Sequence, residues 1–328
     1  PGNTRDTKDL PQSQGKQALR NELATLTYVQ RATADNTREA YRSDIRHFER
    51  WGGKLPTDPT TIVRYCEAHA ESLNPRTLQR RIVALRQFHR YLGFPDPTQH
   101  PLVSKTLRGI KNTHGQPRTQ AAPLLLPDIE ALVSHLMGVD TLAAKRDIAL
   151  ITLGFFAALR GSELVGLQAD YVQFESEGLW ITLPRSKTDP TGEGQSCAVP
   201  KLNTSVCPFQ ALKTWQEVSG IQSGSLFPNI NRWQQMGNKA MSISGLNLML
   251  RGWAKQIHLP NADRISSHSL RRGMATSASS AGASIKSIMR QGRWRHEGTV
   301  LQYIEAGQKY DDNAVTAIAE STDNKKTK

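Results

Sequence analysis

The second half of the chain contains a set of side chains whose types suit chemistry on a phosphate ester. They are Arg160, Lys187, His268, Arg271, Trp294 and Tyr303. In-line attack on a phosphodiester spreads negative charge over its oxygens, and guanidinium groups bind such oxygens in pairs while staying charged. A tyrosine hydroxyl becomes a nucleophile when a base takes its proton or nearby cations stabilise its anion. The set therefore predicts covalent phosphoryl transfer: the arginines clamp the phosphate, the tyrosine attacks and the histidine accepts its proton. A lysine can protonate the departing oxygen, and an indole N–H can bind a phosphate oxygen.

Taken one at a time, these residues also have structural interpretations. Arg160 follows a nearly all-apolar segment and would satisfy helix-terminal carbonyls, while a lone histidine such as His268 is usually structural. Tyr303 has Val300 and Ile304 as neighbours and would fit a small core. The conjunction of all these residue types favours chemistry over each separate interpretation.

Four motifs, taken together and in this order, resemble the signature of the phage integrase, or tyrosine recombinase, family. They are ALRGSEL at residues 158–164, RSKT at 185–188, HSLR at 268–271, and GRW at 292–294, with Tyr303 nine residues after the tryptophan. The resemblance makes Glu163 the acidic residue that supports Arg160. Tryptophan, where most members have histidine, points to the Cre-like members. Arg272 stands where a histidine is common and has no assigned role.

The resemblance implies a site-specific recombinase that cuts and rejoins strands of double-stranded DNA at a specific recombination site. A 3′-phosphotyrosine links protein to DNA, and a homotetramer on two DNA sites exchanges strands through a Holliday junction. Bond energy is conserved, so no cofactor is expected. No phosphate-binding glycine loop and no carboxylate cluster for a metal occurs in the sequence, and no metal site is predicted.

The elements that must position these residues are mainly helical. Apolar residues recur at helical spacing near Asn36, over residues 75–92, 127–137, 142–159 and 242–257, and again from residue 269 onward. Strand formers over residues 171–175 and 179–184, with a turn at 177–178 and a returning strand at 197–200, predict a small antiparallel sheet. The fold class expected is mainly α, with an all-helical N-terminal DNA-binding domain and a mostly helical catalytic domain that contains the sheet.

Composition shifts predict the domain boundaries. Residues 1–18 are expected to be a disordered tail, 19–110 a helical DNA-binding domain whose first helix spans 17–30, and 111–123 a linker rich in glycine, proline and polar residues. Residues 124–328 then form the catalytic domain, which ends in a helix that docks on a neighbouring subunit.

The charge balance indicates nucleic acid as the partner. The formal net charge is +13, and residues 72–120 carry many basic side chains but a single acidic one, Asp96. A helix that begins after Asn74 has an apolar stripe opposite a row of polar and basic residues. The side chains expected to contact DNA are Arg76, Gln79, Arg80 and Arg81.

The same features exclude other classes of protein. No run is apolar enough to cross a membrane, and the polar N-terminus resembles neither a signal nor a transit peptide, so a cytoplasmic, nucleoid-associated protein of bacterial, phage or plasmid origin is expected. The three cysteines suit neither a disulfide framework nor a zinc site. Two alternatives stay open: a type IB topoisomerase-like enzyme that nicks and reseals one duplex, and a non-catalytic sequence-specific DNA-binding relative.

Overall fold

The chain divides into two compact units, residues 1–118 and residues 119–328. The structure, a computed structural model, describes residues 35–117, 120–184 and 194–307. The predicted disordered tail, first helix and C-terminal docking helix beyond residue 307 therefore lie outside the described residues. The predicted linker, residues 111–123, is helical at its start, because the helix before it runs on to His114.

The described part of the first unit is helical. Its helices are α1 (Asp35–Trp51), α2 (Pro59–Ala68), α3 (Pro75–Tyr91) and α4 (Pro101–His114). Helix α1 packs on α3, and α4 packs on both α2 and α3. Their apolar faces meet in a core that includes Phe48, Ile62, Leu78 and Leu85. Asn74 starts α3 as predicted, because its side-chain oxygen accepts the N–H of Arg76 at 2.9 Å.

The second unit is also mainly helical. Its described helices are α5 (Leu126–Met137), α6 (Leu142–Phe156), α7 (Gly161–Val165), α8 (Pro208–Ser219), α9 (Ile243–Gln256), α10 (Ser267–Ser280), α11 (Ile285–Gly292) and α12 (Glu297–Gly307). Helix α6 contacts α5, α8 and α10, so its apolar surface is covered on several sides. Gly154 lets α10 approach α6 closely, because a Cβ there would lie 2.8 Å from the side chain of Leu270.

Two small antiparallel sheets complete this unit. Strands β1 (Val172–Phe174), β2 (Gly178–Leu183) and β3 (Gln195–Pro200) pair in that order, with Leu183 opposite Gln195 at the end of the β2–β3 ladder. Strands β4 (Pro228–Ile230) and β5 (Met236–Ala240) form a separate hairpin. The prediction of a mainly helical chain with a small sheet is confirmed. The second hairpin was not predicted, because it is short and β5 is exposed along its whole length, so its sequence lacks an apolar alternation.

Helix α6 ends earlier than its sequence predicts. The apolar run continues to Leu159, but the helix stops at Phe156 and Ala158 has φ 46°. Arg160 is extended and immediately precedes α7. The arginine therefore belongs to the start of a new helix rather than to the end of the apolar one. Within the described ranges, none of the helices combines the length and the apolar character that a membrane span requires.

Candidate active site

Arg160 is held in place by Glu163, one turn along α7. The backbone N–H of Arg160 donates to Glu163 Oε2 at 2.9 Å, and its Nη1 donates to Oε1 at 2.6 Å. The Glu163 side chain is only 4% exposed, whereas that of Arg160 is 20% exposed. The carboxylate therefore fixes the guanidinium from the protein side, and part of Arg160 still faces solvent. Burial alone would raise the pKa of Glu163, but the hydrogen bonds from Arg160 and the positive charge of Arg293 hold it below its ordinary value.

Arg293 is a second cation on the same carboxylate, and the sequence analysis gave it no role although it lies within the GRW motif. Its Nη2 lies 3.3 Å from Glu163 Oε2, and its Nη1 donates to the carbonyls of Ala157 and Gln291 at 3.2 and 3.0 Å. The residue is buried and has φ 55°, a conformation that costs a non-glycine residue free energy. These bonds join the end of α6, the start of α7 and the end of α11. An arginine after a glycine is typical of a solvated turn, so the sequence did not predict that Arg293 is buried against Glu163.

Arg271 is buried beneath the ring of Trp294. Its Nη1 and Nη2 donate to the backbone carbonyls of Ala158 and Gly292, and its Cζ lies 4.1 Å from the centroid of the indole ring. Burial, reinforced by the positive charges of Arg160 and Arg293, lowers the pKa of Arg271 to about 9. Three guanidinium groups thus repel one another in a low-dielectric region. A phosphate that binds here would relieve that repulsion.

His268 and Tyr303 are in direct contact. The distance from His268 Nε2 to the Tyr303 hydroxyl is 2.9 Å, and the two rings meet edge to face at 5.6 Å. His268 is exposed, while Tyr303 is half-buried and packs on a small core formed by Ala275, Ile288 and Val300. The structural interpretation of Tyr303 as a packing residue is therefore true of its ring. The hydroxyl, however, points to an imidazole that can accept its proton.

Helix α10 positions two residues of this site. His268 lies in its first turn and Arg271 follows one turn later, so both side chains project from the same side. The helix start is fixed by the N–H of Ser267, which donates to Asn247 Oδ1 at 2.7 Å. The first turn of a helix carries partial positive charge, which favours an anion near His268.

The described members of the predicted set therefore form one connected cluster. Glu163 joins Arg160 to Arg293, Arg271 stacks on Trp294, and the indole lies 6.0 Å from the Tyr303 ring. Lys187 falls within residues 185–193, between β2 and β3, and lies outside the described residues. Over the part of the chain that is described, no three His, Cys, Asp or Glu side chains are grouped so that they could hold a metal ion.

The residues predicted to contact DNA divide into two groups on α3. Arg76, Gln79 and Arg80 are exposed, although Arg80 also pairs with the buried carboxylate of Asp44. Arg81 points inward instead.

The Arg81 side chain is only 12% exposed, and its Nη1 lies 2.8 Å from His47 Nδ1 and donates to the Tyr65 hydroxyl at 3.1 Å. Arg81 therefore satisfies buried polar groups of the first unit, and its predicted outward contact with DNA does not fit this orientation.

Two family models match the chain. The phage integrase family matches residues 127–309, and the phage integrase N-terminal SAM-like domain matches residues 25–93. The first match contains every described residue of the cluster.

Curated relatives match over most of their length. An integrase/recombinase XerD homolog of Selenomonas ruminantium is 33% identical over 88% of this chain and 87% of that protein. The recombinase Cre of Escherichia phage P1 is 24% identical over 90% of this chain and 91% of that protein. The higher identity to the XerD homolog means that the tryptophan alone supports a Cre-like assignment only weakly.

Solved structures match the fold at low sequence identity. The Tn1549 transposon integrase in complex with a circular intermediate DNA has a TM-score of 0.60, with 17% identity over 94% of this chain and 98% of that chain. The XerH site-specific recombinase bound to palindromic difH substrate, a post-cleavage complex, also has a TM-score of 0.60, with 14% identity over 92% of this chain and 83% of that one.

Proposed function

The chain belongs to the phage integrase family and is a tyrosine site-specific recombinase, and we propose that it cuts and rejoins DNA through a covalent bond between Tyr303 and a 3′ phosphate. The observation that carries this proposal is the 2.9 Å contact between His268 Nε2 and the Tyr303 hydroxyl. A phenol attacks a phosphate poorly until its proton is removed, and the imidazole is within hydrogen-bond reach of that proton.

The phosphate binds against the cationic side of the cluster. Arg160 is the partly exposed arginine and contacts the phosphate oxygens directly, while Glu163 keeps its guanidinium from turning away. Arg271 lies deeper and stabilises the charge that develops as the tyrosine attacks, because a cation in a low-dielectric region acts strongly on a nearby anion. Trp294 covers Arg271 and offers its indole N–H to an oxygen.

Cleavage forms one bond to phosphorus and breaks another, and it moves one proton at each of the two oxygens. The Tyr303 oxygen forms a bond to phosphorus, the bond from phosphorus to the 5′ oxygen breaks, and the tyrosine proton passes to His268. The departing 5′ oxygen takes a proton from Lys187, a role that rests on the RSKT motif. Rejoining reverses these steps with the 5′ hydroxyl of a partner strand, so the chemistry needs no external energy source.

Four copies of the chain act together on two recombination sites. Exchange between two duplexes breaks four strands, and each broken strand is held by one tyrosine, so four protomers supply the nucleophiles that the reaction needs. The exchange passes through a Holliday junction. The C-terminal segment that resembles a docking helix lies beyond the described residues. The reaction takes place in the cytoplasm, where nucleoid, phage or plasmid DNA is found.

Covalent trapping on a pool of random-sequence DNA duplexes tests the proposal. The full chain is incubated with the pool, the reaction is stopped with detergent, and protein-linked DNA is recovered and sequenced. We expect Tyr303→Phe to bind DNA normally and to give no covalent product. Tyr171→Phe is the matched control in the same unit, and it should attach DNA at the normal rate.

Peptide mapping of the trapped product identifies the attached residue. Recovery of DNA on a peptide that contains Tyr310 instead of Tyr303 would overturn the assignment. A supercoiled plasmid that carries one recovered site distinguishes a recombinase from a topoisomerase-like enzyme. Relaxation without any exchange between two such sites would favour the topoisomerase-like alternative.

A further inference from the structure

Arg272 is a buried cation beside the active site, and the reaction described above gives it no part. It follows Arg271 on α10, and only 3% of its surface is exposed. Burial lowers the pKa of Arg272, and the neighbouring Tyr303 opposes that shift. Its Nε is buried and has no hydrogen-bond partner among the described residues. Burying a guanidinium with one hydrogen bond unmade costs free energy, so the remaining contacts of Arg272 must offset that cost.

The guanidinium of Arg272 is held between the nucleophile and a backbone segment. Its Cζ lies 5.3 Å from the centroid of the Tyr303 ring, and its Nη1 donates to the carbonyl of Ala121. Thr276, one turn further along α10, strengthens this arrangement. Its hydroxyl lies 3.1 Å from the carbonyl of Arg272 and 3.0 Å from the carbonyl of Tyr303. One turn of α10 therefore contacts both the ring and the backbone of the tyrosine.

The segment that accepts the Arg272 hydrogen bond is itself fixed on α10. We call residues 120–124 the leading segment. Its Leu124 N–H donates to the carbonyl of Ser269 at 3.1 Å. A Cβ on Gly273 would lie 1.6 Å from the Leu124 carbonyl oxygen, so the leading segment packs directly on the helix backbone. Arg264 holds its other end, since Arg264 Nη2 donates to the Gln120 carbonyl at 3.0 Å.

We infer that Arg272 is a positioning residue that aligns the nucleophile: braced on the leading segment, it presses a cation against the Tyr303 ring and fixes where the hydroxyl points. This inference rests on the proposed function, in which Tyr303 attacks the phosphate. A cation over an aromatic face attracts the ring and leaves the hydroxyl free of a hydrogen bond from that cation. The ring therefore stays oriented while His268 and the phosphate compete for the hydroxyl.

The test compares Arg272→Met, Arg272→Lys and the control Arg264→Met in the full chain. Arg264→Met also removes an arginine that donates to the leading segment, but among the described residues Arg264 does not contact Tyr303. The probe is a DNA duplex recovered by covalent trapping with the unmodified protein. The rate of covalent attachment is measured in single turnover against protein concentration. The maximal rate is thereby separated from the half-saturating concentration.

We expect Arg272→Met to lower the maximal rate between about 10-fold and 100-fold with the half-saturating concentration unchanged, since a misplacement of about 1 Å has effects of that order. Arg272→Lys keeps a cation over the ring. The logarithm of its maximal rate should therefore lie at least halfway from the Arg272→Met value to that of the unmodified protein. Arg264→Met should stay within about twofold of the unmodified protein. Thermal unfolding of each variant confirms that the comparison is made between folded proteins.

Two results would overturn the inference. The first is an Arg272→Met rate equal to that of the unmodified protein while Tyr303→Phe is inactive, which leaves the proposed function intact. The second is an Arg272→Lys variant that is folded but attaches DNA more slowly than Arg272→Gln, which has an uncharged hydrogen-bond donor. If Arg272→Met does not fold, the comparison of Arg272→Lys with Arg272→Gln tests the inference in its place. Covalent attachment by Tyr303→Phe would instead refute the proposed function and this inference together.

Discussion

Replacement of Glu163 by glutamine should weaken both the fold of the second unit and its chemistry. The carboxylate is 4% exposed and accepts hydrogen bonds from Arg160, while Arg293 lies 3.3 Å away and is itself 5% exposed. Loss of one partner from a buried ion pair costs about 3–5 kcal/mol of unfolding free energy. Arg293 keeps its backbone carbonyl acceptors, so we expect a smaller loss, about 2–3 kcal/mol. For a unit of this size, that corresponds to a melting temperature lower by roughly 4–12 °C.

The effect should depend on pH in a defined direction. The folded-state pKa of Glu163 lies below its ordinary value of 4.5, so its ionised form stabilises the fold above that pH. The stabilisation is lost as the pH falls through the lower, folded-state pKa. The difference in unfolding free energy between Glu163→Gln and the unmodified protein should therefore be complete at pH 7 and shrink below about pH 4.5.

Chemical denaturation at pH 7 and pH 4 measures both quantities. Glu130→Gln, at an exposed position on α5, is the matched control and should change the unfolding free energy by less than about 0.5 kcal/mol. Covalent trapping on DNA reports the catalytic part, because Arg160 loses the group that orients it. A Glu163→Gln variant within about 0.5 kcal/mol of the unmodified protein at pH 7, with an unchanged cleavage rate, would refute the view that this carboxylate organises the arginines.

Three further predictions concern DNA binding by α3, the stability of the first unit and the metal dependence of cleavage. Arg76→Ala, on the exposed side of α3, should reduce the magnitude of the negative slope of log affinity against log salt by about 0.9. DNA binding at several salt concentrations measures this slope, and an unchanged slope would mean that Arg76 contacts no phosphate. Arg81→Met should leave that slope unchanged and cost about 2–3 kcal/mol of unfolding free energy, because it leaves the buried Asp44 and Tyr65 with fewer partners; a fully stable variant would contradict the inward role of Arg81. DNA cleavage should continue in excess EDTA, and loss of cleavage that Mg²⁺ restores would indicate a metal-dependent nuclease instead.

Much of the site was predictable because its chemistry restricts the residue types. Few side chains can clamp a phosphate, accept a proton and attack phosphorus, and the order and spacing of Arg160, His268, Arg271 and Tyr303 carried that information along the chain. The helical pattern was predictable for a similar reason, since apolar residues at helical spacing have only one good way to bury themselves. The second hairpin escaped prediction because exposed strands leave no such pattern.

The sequence by itself therefore indicated the family and the helical architecture, and it supplied the reacting groups that we propose. Only the tertiary structure decided what the other arginines do. Arg81, Arg272 and Arg293 look alike in the sequence, yet the first satisfies buried polar groups of its own unit, the second lies against the tyrosine ring, and the third holds Glu163. The physical reason is that a guanidinium has no fixed partner. Its role depends on which acceptors the fold brings within about 3 Å, and those acceptors often lie far away along the chain.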